Sequence, residues 1–199
     1  MALIALLLYV VWFTLAFGIR THLHRRRNGD SGFRGLSGRP GTAPWFAGLL
    51  FGIALLTGLL SPVSALAGLN PLPGLNQPAL QTTGLIVTVL GVIATVAAQA
   101  AMGTTWRVGV DPAERTGLVT SGAFQLARNP VFTAMTLTAA GLAMMVPNVV
   151  AIAGLIALIV AIQLQVRIVE EPYLRQIHGA DYLEYVAAVG RFLPGIGRS

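Results

Sequence analysis

The side chains best suited to chemistry fall in two clusters in the second half of the chain, Arg128-Asn129-Pro130-Val131-Phe132 and Glu170-Glu171. Pro130 is placed to start a helix, because the first helical turn leaves its N–H positions unpaired in any case. An arginine just ahead of that start offers either a charge that snorkels to lipid phosphate or a planar fork for a carboxylate. Glu170 and Glu171 close an apolar run, where charge is costly unless solvated or paired. Glu171 has Arg167 and Arg175 four residues to either side, a spacing that pairs on a helix. The alternative is a fixed negative group that accepts hydrogen bonds from a ligand hydroxyl or amine. All 13 basic residues are Arg and Cys is absent. Schiff-base, thiolate and Cys-ligated zinc chemistry are therefore excluded. His22 and His24 sit among arginines and read as solvated loop residues. His178 precedes Gly179 and reads as part of a helix stop. No spacing gathers a metal-ligand cluster or a Ser-His-Asp set.

These residues need elements to hold them, and composition says which kind. The chain has 199 residues, 55% hydrophobic and 10% charged, with a mean hydropathy of +0.73. Soluble domains carry about 25% charged residues, so the reading is an all-α polytopic membrane bundle. Residues 2–19 are free of charge and, at about 1.5 Å per residue, span roughly 27 Å. The first Arg follows this run, so it is expected to be a retained anchor and not a cleaved signal. Residues 20–42, rich in Arg and Gly, are expected to form a flexible basic loop. Residues 43–66 read as a second span, with Gly48 and Gly52 as a pair that lets helices approach closely. The proline-rich stretch 61–80 reads as a loop and 80–102 as a third span, with Gln99 an unusual polar residue near its end. Two further apolar runs, 131–146 and 149–166, meet at Pro147-Asn148 and should form an antiparallel hairpin. Beyond them Pro172 is expected to break the helix leaving the membrane. Tyr182, Tyr185, Val186 and Val189 then share one face of an amphipathic tail that lies on the membrane or folds back over the bundle.

Five spans place every charged residue (segments 20–39, 107–128 and 167–198) on one side. The net charge of +6 is concentrated at residues 20–39, beside an apolar segment. That placement points to orientation in a bilayer, with no nucleic-acid partner. The positive-inside rule makes the charged side cytoplasmic, with the N-terminus outside and the C-terminus inside. The Ala/Gly-rich, lysine-free composition points to a bacterial plasma membrane.

The ordered series WRVG at 106–109, TGLVTSGAFQLARNPVF at 116–132, a helical hairpin, RIVEEPYL at 167–174 and HGADYLEYVAAVGRFLP at 178–194 resembles the isoprenylcysteine carboxyl methyltransferase-like family. That family belongs to a wider group of membrane methyltransferases including the phospholipid N-methyltransferases. The resemblance covers about residues 103–196. It divides the chain into N-terminal helices (1–102, with the basic loop 20–42) and a methyltransferase-like region (103–199, with the hairpin 131–166). It implies S-adenosylmethionine bound at the cytoplasmic end of the last helices, a hydrophobic methyl acceptor entering sideways from the bilayer, and no metal. On this reading Arg128 holds the cofactor carboxylate, and Glu170 or Glu171 accepts from its ribose diol or ammonium. Leu118, Val119 and Phe124 line the adenine, Gly122 lets backbone approach, and Tyr182 and Arg191 close the tail over the pocket. Pro130 and Phe132 belong to the matching motif, and Arg107 would orient an acceptor carboxylate. The family histidine is replaced by Asn129, which hydrogen-bonds but does not titrate. A carboxylate nucleophile, already ionised, would need no base. Two other functions remain open: a non-catalytic membrane scaffold on the same fold, consistent with Asn129, and a membrane reductase of the sterol-reductase type. The spans contain almost no ionisable residue and no inverted repeat, which argues against a transporter.

Overall fold

The computed structural model describes residues 1–34, 38–109, 115 and 117–198. Among these the fold is helical throughout, with only isolated bridges, Phe33 to Val108 and Leu193 to Ile196. Helix α1 (Ala2–Phe13) continues through a π-helical turn (Thr14–Ile19) into α2 (Arg20–Asn28). Then come α3 (Ala43–Leu66), α4 (Pro78–Ala101), α5 (Pro130–Met145) and α6 (Val149–Leu164). A second π-helical stretch (Gln165–Glu170) joins α6 to α7 (Glu171–Ala188). Four helices, Ala2–Asn28, Ala43–Leu66, Pro78–Ala101 and Val149–Ala188, are long and apolar enough to cross a membrane. The protein is an integral membrane helical bundle. α5 is shorter than those four, yet it crosses the same bundle: Asn129 begins it beside the C-terminal tail, and Met145 ends it beside Ala5.

Helix α5 packs chiefly on α4, and α6 on α3, with α1 lying across α3, α4 and α5. Small residues permit the α4–α5 contact. A Cβ on Gly141 would run into the Thr88 hydroxyl and backbone, and one on Gly84 would sit 2.6 Å from the Gly141 carbonyl. Helices that close gain dispersion contacts that larger residues would forbid. Several polar groups within the bundle are satisfied locally, as a medium without water favours. Tyr9 donates to the Leu55 carbonyl (2.5 Å) and Trp12 to Thr95 (3.3 Å). Asn148 caps α6 by accepting from the Ala151 N–H (2.8 Å) and donates to the Ser61 carbonyl (3.0 Å).

The two-sided arrangement expected from charge is present. Ala2, Ala5, Ala65, Leu85, Met145 and Val146 cluster at one end, where the Leu72 N–H reaches the Pro147 carbonyl (2.7 Å). The basic helix α2, the 103–109 segment and the C-terminal tail gather at the other. Several local expectations are corrected. The first nine residues of the expected 20–42 loop are helix, since Arg is a good helix former and no Pro or Gly intervenes before Gly29. Pro62 does not open a loop at 61; it is inside α3, which runs to Leu66. Pro172 does not break the last helix. The widened π turn just before it absorbs the ring, and the chain stays helical. The interruption comes at Gly179 (φ 51°, ψ −120°), as His178-Gly179 led one to expect. Nor do Gly48 and Gly52 hold two helices together. A Cβ on Gly52 would meet nothing within 4 Å, and both glycines border a cavity.

Replacing Gly141 with valine should overpack the α4–α5 contact and cost about 1–3 kcal/mol. Gly52→Ala should be neutral or stabilising. Thermal unfolding of the two variants in detergent checks the difference.

Candidate functional site

Where α5 begins, the chain must bring a charged side chain out of one loop and another off the end of α6. The two meet. The Arg128 guanidinium donates to Glu171 Oε1 at 2.9 Å, and Arg191 grips the same carboxylate twice, Nε to Oε1 at 2.6 Å and a terminal N–H to Oε2 at 3.0 Å. The side chains of Arg128 and Glu171 are 2% and 8% exposed. Two guanidinium charges therefore face one carboxylate. Carbonyl dipoles offset the remainder: Arg128 also donates to Val186 (3.1 Å), Val189 (2.7 Å) and Gly197 (3.2 Å). Its Nε is buried without a partner among the described residues. Hydrogen bonds from Arg191 to Glu171 hold that guanidinium above its ordinary pKa, against the burial that lowers it.

Backbone pairing fixes the geometry. The N–H groups of Arg128 and Asn129 donate to the carbonyls of Gly190 (2.8 Å) and Arg191 (3.0 Å). The Asn129 amide donates to the Arg191 carbonyl (3.1 Å), and Thr133 to the Phe192 carbonyl (2.7 Å). The tail beyond α7 is thereby stitched to the start of α5. Tyr182, Tyr185 and Val186 bury against Leu118, Leu174 and Val189, and the Tyr185 hydroxyl donates to the Phe124 carbonyl (2.6 Å). The face shared by these residues in the sequence folds back over the bundle.

Next to this cluster lies a cavity of about 620 Å³, in the range of small-molecule sites. Its polar end carries Arg107, Arg128, Glu170, Glu171 and Tyr182, and its apolar end Phe13, Phe17, Phe51, Leu55 and Met135. Glu170 takes a hydrogen bond from Gln165 and stands in the field of Arg107, whose guanidinium lies 4.9 Å over the Tyr173 ring. Phe13 (42% exposed) and Gly52 line the cavity and are themselves exposed. The 103–109 segment is fastened to α2. Arg20 donates to the Gly103 carbonyl (2.6 Å) and lies 5.4 Å over Trp106.

A family model described as phospholipid methyltransferase matches residues 80–181, from α4 into α7 and across this site. The chain belongs to the phospholipid methyltransferase family. No curated protein matches it.

Set against the membrane methyltransferase pattern, the structure gathers most of the residues singled out in the sequence. Arg107, Leu118, Val119, Phe124, Arg128, Asn129, Pro130, Phe132, Glu170, Glu171 and Tyr182 all border the cavity. Two do not. Gly122 lies away from it in a short 3₁₀ turn (φ 61°), and Arg191 sits behind Glu171. Glu171 pairs with neither Arg167 nor Arg175, the neighbours expected from helix spacing. Arg167 turns to Gln163 (2.8 Å), and the partners of Glu171 come from 43 and 20 residues away. His24 is not a solvated loop residue: it is buried against Trp106, with ring centroids 5.5 Å apart. Asp111 and Glu114, polar members of the 103–130 loop, lie outside the described residues. Trp106, Gln165, Tyr173 and the N-terminal aromatics were not picked out as site residues. The Phe13 and Phe17 pair at helical spacing was the one available signal for the last group.

Removing Glu171 leaves two largely buried guanidiniums without their carboxylate, at about 3–5 kcal/mol. Glu171→Gln should therefore lower the unfolding temperature in detergent, and Arg128→Ala should lower it too, because it strands three carbonyls although Arg191 still pairs with Glu171. Glu170→Gln should leave that temperature nearly unchanged.

Proposed function

We propose that the protein is an S-adenosylmethionine-dependent methyltransferase that acts at the membrane surface on an acceptor with an apolar tail. The observation that carries this reading is the mixed lining of the cavity: charged and aromatic groups together with apolar side chains from α1 and α3. Family membership supports methyl transfer over the reductase alternative. The residues present fit the cofactor. Its carboxylate suits the excess positive charge at Arg128, whose buried Nε has no partner among the described residues. Glu170 suits the ammonium or the ribose diol, and Leu118, Val119, Phe124 and Tyr182 suit the adenine.

When bound, the cofactor supplies an electrophilic methyl group on a sulfonium. The chemistry it would supply is an in-line displacement, in which an acceptor atom would take the methyl carbon from sulfur and S-adenosylhomocysteine would be the leaving group. For such a displacement the chain's own contribution is alignment and electrostatics. Glu171 and Arg191 act behind the cavity, fixing Arg128 and the tail that carries Tyr182. Arg107, stacked on Tyr173, is placed to orient an acceptor carboxylate. Such a nucleophile is ionised at neutral pH and needs no base. This matters because Asn129, where the family pattern has histidine, is tied to the tail carbonyl and does not titrate. Phe13, Phe17, Phe51 and Leu55 would hold the acceptor's tail, which enters sideways between α1 and α3. The charged end would face the cytoplasm, as the positive-inside rule directs.

Calorimetry with S-adenosylhomocysteine on the detergent-purified protein tests the reading. We expect micromolar binding, weakened about ten-fold in Glu170→Gln without a change in unfolding temperature. No binding to a folded sample would favour the non-catalytic scaffold.

A further inference from the structure

We propose that Gln99 is a specificity-determining residue, its side-chain oxygen accepting a hydrogen bond from an N–H or O–H group of the methyl acceptor. This rests on the reading above that the cavity takes a lipidic acceptor.

Gln99 lies in the last turn of α4 (Pro78–Ala101), whose other glutamine, Gln81, is in the first turn at the opposite end. Gln99 is only 5% exposed, and it borders the cavity. A buried amide in a membrane bundle is costly unless both its ends are used. One end is used. Nε2 donates to the Ala16 carbonyl at 3.0 Å, inside the π-helical Thr14–Ile19. Ala16 is itself fully buried. A carbonyl only accepts, so this bond fixes which way the amide is turned. The nitrogen must face α1, and the oxygen is left as the free end. Among the described residues no donor reaches that oxygen.

The consequence is chemical. Gln99 presents a hydrogen-bond acceptor to the cavity, held in place by its bond to Ala16. A ligand that brings an N–H or O–H there gains a bond. A ligand with an ether, an ester oxygen or a carboxylate there sets oxygen against oxygen. A site built around one unpaired polar group discriminates against ligands that leave it unpaired. Arg107 and Glu170 lie at the charged end of the cavity and read the acceptor's head; Gln99 reads a donor further along the same molecule. The π turn is part of the device, because such turns loosen the regular helix ladder and occur often at functional sites.

The probes are 1-hexadecanol and its methyl ether, which share a chain and differ in the donor. Each competes against radiolabelled hexadecanol on the full-length protein in detergent, with S-adenosylhomocysteine binding measured on the same samples. We expect the wild type to prefer the alcohol by about ten-fold, the scale of one hydrogen bond in a dry site. Gln99→Met should bind both probes alike and keep its S-adenosylhomocysteine affinity. Gln99→Glu loses the donor to Ala16 but retains an acceptor, and it should keep the preference. A merely structural role through Ala16 would remove the preference in both variants. The proposal is overturned if the wild type does not distinguish the probes, if Gln99→Met still prefers the alcohol, or if Gln99→Glu loses the preference. Loss of S-adenosylhomocysteine binding in the wild type would instead overturn the methyltransferase reading, whatever the probes do.

Discussion

One carboxylate holds the charged end of this molecule together. Glu171 leaves α6 at the π turn and meets arginines from a loop and from the tail. Neither arginine is its neighbour in sequence. The cluster therefore closes a long loop of chain onto the start of α5, and every contact of the tail follows from it. The Gly190, Arg191 and Phe192 carbonyls take donors from Arg128, Asn129 and Thr133 only because the tail is already drawn to that place. Buried ion pairs give little net stability compared with an apolar core, since desolvation consumes most of the attraction. What this one supplies is position, and a local excess of positive charge beside a cavity.

The cavity joins two solvents. Its charged residues lie beside the tail and the 103–109 segment that is fastened to α2. Apolar lining comes from α1 and α3, where Phe13 and Gly52 are also exposed. Both π-helical segments contribute to its wall, Phe17 from the first and Gln165 and Glu170 from the second. A molecule with a charged head and an apolar tail fits such a space with each part in its own medium. A soluble ligand would bring nothing apolar to the aromatic lining, and a plain hydrocarbon would bring nothing polar to Arg107 and Glu170.

Much of this was legible in the sequence, and the reasons are physical. Hydrophobic runs and charge placement report directly on a bilayer, so the spans and their two-sided arrangement were readable. Motif order placed Arg128, Glu170, Glu171 and Tyr182 around one site. Helix spacing, by contrast, pointed Glu171 to Arg167 and Arg175, and failed because long-range partners outcompeted local ones. Pro62 and Pro172 were read with soluble-protein rules; inside a membrane bundle neighbouring helices and widened turns keep a proline helical. Gly48 and Gly52 carried the pattern of a close helix contact, but spacing does not say which face of α3 meets a helix and which meets space. The share of the N-terminal aromatics in the cavity depends on how α1 lies across the bundle, and no local pattern encodes that.

The central claim is that a methyl group passes from the charged end of this cavity to a molecule held in its apolar arm. The most direct test is to supply S-adenosylmethionine, tritiated in its methyl group, to membranes containing the protein and to follow the label. The account predicts protein-dependent radioactivity in the organic-solvent extract, absent from membranes that carry Arg128→Ala. Label that stays in the aqueous phase, with folded protein present, would contradict it.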